Sequence, residues 1–116
     1  MTTNYIEYYH HLEEGLARMG QELPGPMSGF ARLHRKSIED GALSRKVKEM
    51  MAVAISIVVG CEGCIAYHVH DAVEAGATRA ELLEAVSVCL MMGGGPGSIY
   101  AALALEAISQ FLPEGN

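Results

Sequence analysis

The chain has 116 residues, half of them apolar and 19% charged, with a net charge of −6 and three cysteines. That length holds one domain, and the acidic balance excludes nucleic acid as the main partner, which would need a basic footprint. Three cysteines do not make a disulfide framework, and so high an apolar share in so small a chain predicts surface buried between subunits.

The opening "MTTNYIEYYHHLEE" lacks a basic start followed by an apolar stretch, so no signal peptide is expected. "NYIEYYHHLEEGLARMGQEL" sets Ile6, Tyr9, Leu12 and Leu16 on one stripe and predicts a first helix. Pro24, Gly25 and Pro26 are expected to end it. A second helix is expected from near Met27, bearing Phe30, Leu33 and Ile38 and running down at Asp40-Gly41. Six of the eight basic residues (Arg32, Arg35, Lys36, Arg45, Lys46 and Lys48) fall between positions 32 and 48. They read as a solvated helix face with its connecting loop, in preference to a collar for an anionic partner.

Ser44 is a plausible N-cap for "RKVKEMMAVAISIVV". The β-branched tail of this segment resembles a buried strand, but the apolar pattern continues back through Met50 and Val47, and the full length suits a helix. A helix apolar on nearly every face is a central one, enclosed by others or by a neighbouring subunit. Gly60 supplies its C-terminal stop. The apolar run from Met50 to Val59 is too short to span a bilayer, so a soluble, cytoplasmic protein without a membrane partner is expected.

The fourth helix is expected to start at or just after Cys61 and to end at Gly76. Thr78 and Glu81 form a T-x-x-E capping box that opens a fifth, carrying Leu82, Leu83, Val86, Leu90 and Met91 as far as "GGGPG". A sixth covers Ser98 to Leu112, and Pro113 closes it. The glycine run has no preceding strand and no G-K-[ST], so it reads as a tight turn with close backbone packing and not as a phosphate cradle. The fold class is all-α, about six helices, oligomeric.

The chemistry concentrates in "GCEGCIAYHVHD", residues 60–71. At about 100° per residue, Cys64 lies roughly 60° around the helix from Cys61, and His68 is offset from Cys64 by roughly 40°. The three share a stripe, Asp71 falls at its edge, and His70 points away. A helix start favours thiolate over thiol, and such placement brings a cysteine pKa from about 8.5 down to roughly 3.5–7.5.

Three readings compete. In the first, one thiolate attacks a disulfide or an O–O bond and the other cysteine closes a Cys61–Cys64 disulfide. In the second, C-x2-C-x3-H binds zinc, but it supplies three ligands where a structural site needs four. Cys89, His34 and His70 are the only loose candidates for the fourth. In the third, the cysteines are small core residues. The order of preference is redox, zinc, packing, so no metal or cofactor is assigned. Glu49, twelve positions before Cys61, either pairs with Arg45 or Lys46 on its own helix or faces the cysteines across two packed helices. In the second setting, burial would fit it to pass protons with His68.

Glu49, Cys61, Cys64 and His68 spell E-x11-C-x2-C-x3-H. With "GATRAELLEAV" and "MMGGGPGSIYAALALEA", this resembles the alkylhydroperoxidase AhpD-like group of the carboxymuconolactone decarboxylase family over roughly residues 27–112. The resemblance implies an all-helical fold assembled as a homotrimer or homohexamer. It implies a cysteine pair that reduces peroxides or small disulfides, served by a dithiol, lipoyl-type or peroxiredoxin electron partner. Glu49 and His68 would form the proton relay, Cys64 would be the activated thiol, and Cys61 would complete the disulfide. Helix-end geometry alone favours Cys61 as the attacker. The best-known enzymes of the group carry a further histidine inside the cysteine pair, where this chain has Gly63. The decarboxylase branch generally lacks the pair, which makes a decarboxylase the lesser enzymatic reading. A zinc-binding or purely structural helical oligomer is the non-enzymatic one.

Overall fold

In a computed structural model that describes residues 3–113, five helices follow one another, with no strand among the described residues. Helix α1 (Tyr5–Glu22) opens at Asn4, whose side chain accepts the Glu7 N–H at 3.1 Å. The buried side of α1 carries Tyr5 and Tyr9, with Leu12 and Leu16 half-buried. These spacings of four, three and four residues define the inward stripe, and Ile6 lies off it and is exposed.

Helix α2 (Pro24–Ile38) begins earlier than its sequence suggested. Pro24 does not end α1 from outside; it occupies the first position of α2. There its missing N–H costs no helical bond and its fixed φ is already suitable. Only Leu23 separates the two helices, and its N–H closes α1 on the Met19 carbonyl at 2.7 Å. No residue of α2 is buried, and Phe30 and Leu33 are exposed.

Helix α3 (Arg45–Val59) is capped by Ser44, whose side chain accepts the Val47 N–H at 3.2 Å. It stops at Gly60, in the left-handed conformation at φ 80. A Cβ there would also stand 3.2 Å from the Tyr100 ring, so both backbone and neighbour favour glycine. Helix α4 (Glu62–Glu74) follows directly, with Cys61 as its N-cap.

Helix α5 (Arg79–Phe111) starts with the complete Thr78/Glu81 capping box. The two helices expected here form one element, broken at Gly94, where φ 61 and ψ −148 leave the helical range. The bend brings Gly97 against the preceding limb, and a Cβ on it would lie 3.4 Å from the Cys89 carbonyl oxygen. This is the close backbone packing expected of the glycine run. By length and composition α5 is apolar enough to cross a membrane, which the reading based on Met50–Val59 overlooked. The break leaves each limb shorter than the roughly 20 residues that spanning requires, and both limbs place one face in the core.

That core joins Val53 and Ile57 of α3, Ile65 and Val69 of α4, and Leu82 and Ile108 of α5. Helix α3 packs on α4 and α5, and α1 lies across α4. The outer face of α3, with Met51, Ile55, Val58 and Val59, is exposed in the single chain. The arrangement fixes the two helices that carry the functional residues and leaves α1 and α2 to wall a cavity beside them.

Candidate active site

The left-handed turn at Gly60 ends α3 and delivers Cys61 to the mouth of α4. The Cys61 backbone is extended, and its Sγ accepts the Cys64 N–H at 3.2 Å, satisfying one of the free donors of the first turn. Cys61 and Cys64 are joined as a disulfide, with their Cα atoms 5.2 Å apart. Glu62, between them in sequence, turns the other way and accepts the Tyr5 hydroxyl at 2.8 Å, pinning the start of α4 to α1. Burial, and next the Glu62 carboxylate, push the Tyr5 hydroxyl pKa up, so it stays a donor.

Glu49 does not pair with Arg45 or Lys46. The Lys46 ammonium donates to Glu81 at 2.8 Å, and Glu49 is 1% exposed, turned into the interface between α3 and α4. Its Oε1 stands 2.9 Å from Nδ1 of His68. With the carboxylate ionised, Nδ1–H donates to it and Nε2 keeps its lone pair. The sequence therefore brought together Glu49, Cys61, Cys64 and His68 on facing stretches of two packed helices.

Cys61, Cys64 and His68 line one wall of a cavity of about 800 Å³. Its other walls come from α1 and α2, through Leu12, Leu16, Met27 and Phe30, with His34 and Arg35 as the polar groups of α2. Such a largely apolar space with a few convergent polar groups suits a small organic ligand with one reactive polar end. Tyr67 also lines it. Burial, then the Asp71 charge, raise the Tyr67 hydroxyl pKa and keep it protonated.

His70 does not reach the cavity. Its ring stacks on Tyr9 at a centroid distance of 3.7 Å, and its Nδ1 lies 2.9 Å from Asp71 Oδ1. Tyr100 sits against Gly60. Cys89 is buried between α3 and α5, its Sγ directed at the carbonyls of Ala85 and Ala54. Burial pushes its thiol pKa up, which keeps it protonated and inert. Of the three candidates for a fourth zinc ligand, His70 and Cys89 lie away from the cavity and His34 lines it with the pair; the sulfurs in the disulfide form are not thiolate ligands.

Gly63 has a physical cause. A Cβ there would stand 3.3 Å from the Tyr8 hydroxyl oxygen and 3.6 Å from Leu12 Cδ1. A larger side chain inside the cysteine pair would have to displace the ends of the Tyr8 and Leu12 side chains of α1.

The residue that sequence reasoning underrated is His34. Its Nε2 is the one buried side-chain polar atom without a hydrogen-bond partner among the described residues. One ring nitrogen of His34 lies within 4.8 Å of a carboxylate oxygen of Glu49 and of Asp71, which are themselves that close to each other. The available signal was its position on an otherwise amphipathic α2, four residues after Phe30, on the cavity-facing side.

Residues 24–107 match the family model described as the carboxymuconolactone decarboxylase family. An uncharacterised protein of Cupriavidus necator is 36% identical over 90% of this chain and 93% of its own length. A second uncharacterised relative, from Haemophilus influenzae, is 30% identical over 94% of this chain and 96% of its own. Among solved structures, an apo carboxymuconolactone decarboxylase family protein from Legionella pneumophila superposes with a TM-score of 0.88 at 40% identity, covering 92% of this chain and 96% of that one. A Thermotoga maritima member of that family, with a suspected part in antioxidative response, gives 0.78 at 27% identity, covering 97% and 92%.

Proposed function

The chain belongs to the carboxymuconolactone decarboxylase family, and within it we propose that this protein is a thiol-based oxidoreductase of the AhpD-like type. The observation that carries the reading is one cavity wall holding the Cys61–Cys64 disulfide and His68, with His68 bonded to the buried Glu49 at 2.9 Å. The Thermotoga maritima relative's suspected part in antioxidative response points the same way.

The reduced pair carries the oxidative half-reaction. His68 Nε2 takes the proton of Cys64, one helical turn before it, and Glu49 holds the resulting imidazolium. The Cys64 thiolate attacks the outer oxygen of a peroxide and breaks the O–O bond. A sulfenic acid forms, and the alkoxide leaves with the proton from His68 as an alcohol. Cys61 sulfur then attacks Cys64 sulfur, its proton departs with the hydroxyl as water, and the disulfide closes. Two electrons leave the cysteines and two enter the peroxide.

A dithiol of lipoyl type returns the electrons, and the disulfide of a peroxiredoxin-like partner is an alternative acceptor for the reduced pair. A partner thiolate attacks Cys64 sulfur, and Cys61 leaves as thiolate, stabilised by the Cys64 N–H and the open helix end. The partner's second thiol then releases Cys64 and takes the disulfide away. The same exchange run on a small disulfide substrate makes the protein a disulfide reductase. The exposed apolar rows of α3 and of α5 around Met91, Met92 and Ile99 support a homo-oligomer, a trimer or hexamer. A cytoplasmic location, where reduced dithiols are available, fits this chemistry.

The test is turnover of an alkyl hydroperoxide and of a disulfide probe with a dithiol donor. The double variant C61S/C64S is expected to fall to the uncatalysed background in both. Undiminished turnover by that variant sinks the reading.

A further inference from the structure

We propose that His34, Glu49 and Asp71 form a binding site for one divalent transition-metal cation, which takes no ligand from the cysteine pair and shares Glu49 with the proposed relay. The three residues come from three helices, α2, α3 and α4, and offer ligand atoms all within 4.8 Å of one another. One imidazole nitrogen and two carboxylate oxygens are donor types that Zn²⁺, Mn²⁺ and Fe²⁺ all accept, and the oxygen-rich set leans towards the harder ions among them. Bonds of about 2.0–2.2 Å set such donors roughly 3.3–3.6 Å apart, so closure needs about 1 Å of side-chain adjustment.

Charge gives the first reason. Glu49 is 1% exposed and the Asp71 side chain 14% exposed, yet no lysine or arginine is paired with either among the described residues. Their ionic partners are His68 and His70, which are cations only when protonated. Two carboxylates this close and this enclosed repel unless a proton or a cation lies between them. A divalent ion neutralises both.

Hydrogen bonding gives the second and independent reason. His34 Nε2 is buried and has no partner, an unfavourable state unless something occupies the lone pair. Nε2 makes no hydrogen bond to either carboxylate, and a ring nitrogen of His34 lies within 4.8 Å of an oxygen of each. The outer partners are also in place: His68 donates to one oxygen of Glu49 and His70 to one oxygen of Asp71. That leaves the second oxygen of each carboxylate for an ion and fixes its orientation. His34 lines the cavity, which provides the route of entry.

The proposal does not depend on the thiol chemistry, and its test removes the sulfurs. Zn²⁺ and Co²⁺ are titrated separately into the full-length C61S/C64S protein, with calorimetry for the first and visible absorption for the second. The expected result is one equivalent per chain, weakened at least about tenfold in H34Q and in D71N built on that background. Circular dichroism establishes that each variant is folded. Two amide replacements on different helices keep the test alive if one of them unfolds. Absence of binding overturns the proposal, and so does binding that both variants retain at full strength.

Discussion

Two histidine–carboxylate pairs sit two residues apart on α4 with the same 2.9 Å separation, yet they do different things. His68 reaches across to Glu49 on another helix, and its ring opens on the cavity that holds the cysteines. His70 bonds its own neighbour Asp71 and lays its ring flat on Tyr9. Distance alone does not separate them. The first pair joins a nearly dry carboxylate to a ring that lines the same cavity as the cysteines; the second fastens α1 onto α4. A short histidine–carboxylate contact becomes an acid–base device only when its far nitrogen points at something that exchanges a proton.

The two pairs can be told apart by breaking each. E49Q keeps the shape of the side chain and removes the charge that supports an imidazolium, so alkylation of the reduced cysteines at neutral pH is expected to slow about 10²-fold. Stopped-flow measurement with iodoacetamide reads this directly, and an unchanged rate would take Glu49 out of the relay. H70A is expected to do the reverse. It loses the stack on Tyr9 and lowers unfolding free energy by about 1 kcal/mol in urea, while the alkylation rate stays at the level of the unaltered protein. A collapse of that rate in H70A would erase the distinction between the pairs.

The smallest effect belongs to a carboxylate paired with a permanent cation. The Lys46 ammonium, and next the Thr78 N–H, hold the Glu81 carboxyl below its ordinary value near 4.5. Because the folded value is the lower one, its contribution to stability is present above about 4.5 and is lost as pH falls through the folded value. K46M is expected to flatten the acid limb of urea midpoints slightly below about pH 4.5 and to leave neutral stability nearly untouched. A steeper acid limb in K46M would contradict this pairing.

Much of the site could be read before any coordinates, because it is local. Cys61, Cys64 and His68 lie on one helix, where 3.6-residue geometry decides what shares a face, and Gly60 marks where that helix can begin. Glu49 needed the helix before it as well, and its choice between Lys46 and His68 was undecidable along the chain, since both partners lie within reach of an α3 side chain. The packing of α3 on α4 decided it. The same limit hid His34, whose surroundings depend on how α2, packed on α1 and α3, faces α4 across the cavity. Phe30 and Leu33 mark an apolar side of α2, but periodicity does not say what covers it: Phe30 lines the cavity, and both are exposed in the single chain. Pro24 was misread because proline both ends one helix and opens the next. The fifth and sixth helices do meet at the glycine run, and only the form of the join, a single glycine at φ 61 with no loop, was hidden in the sequence.

The central claim is that Cys61 and Cys64 cycle between dithiol and disulfide while Cys89 takes no part. Mass spectrometry after alkylation of native protein, first reduced and then treated with an alkyl hydroperoxide, tests it most directly. Label is expected on Cys61 and Cys64 in the reduced protein, on neither after peroxide, and on Cys89 in neither state. Full labelling of Cys61 and Cys64 after peroxide treatment would contradict it.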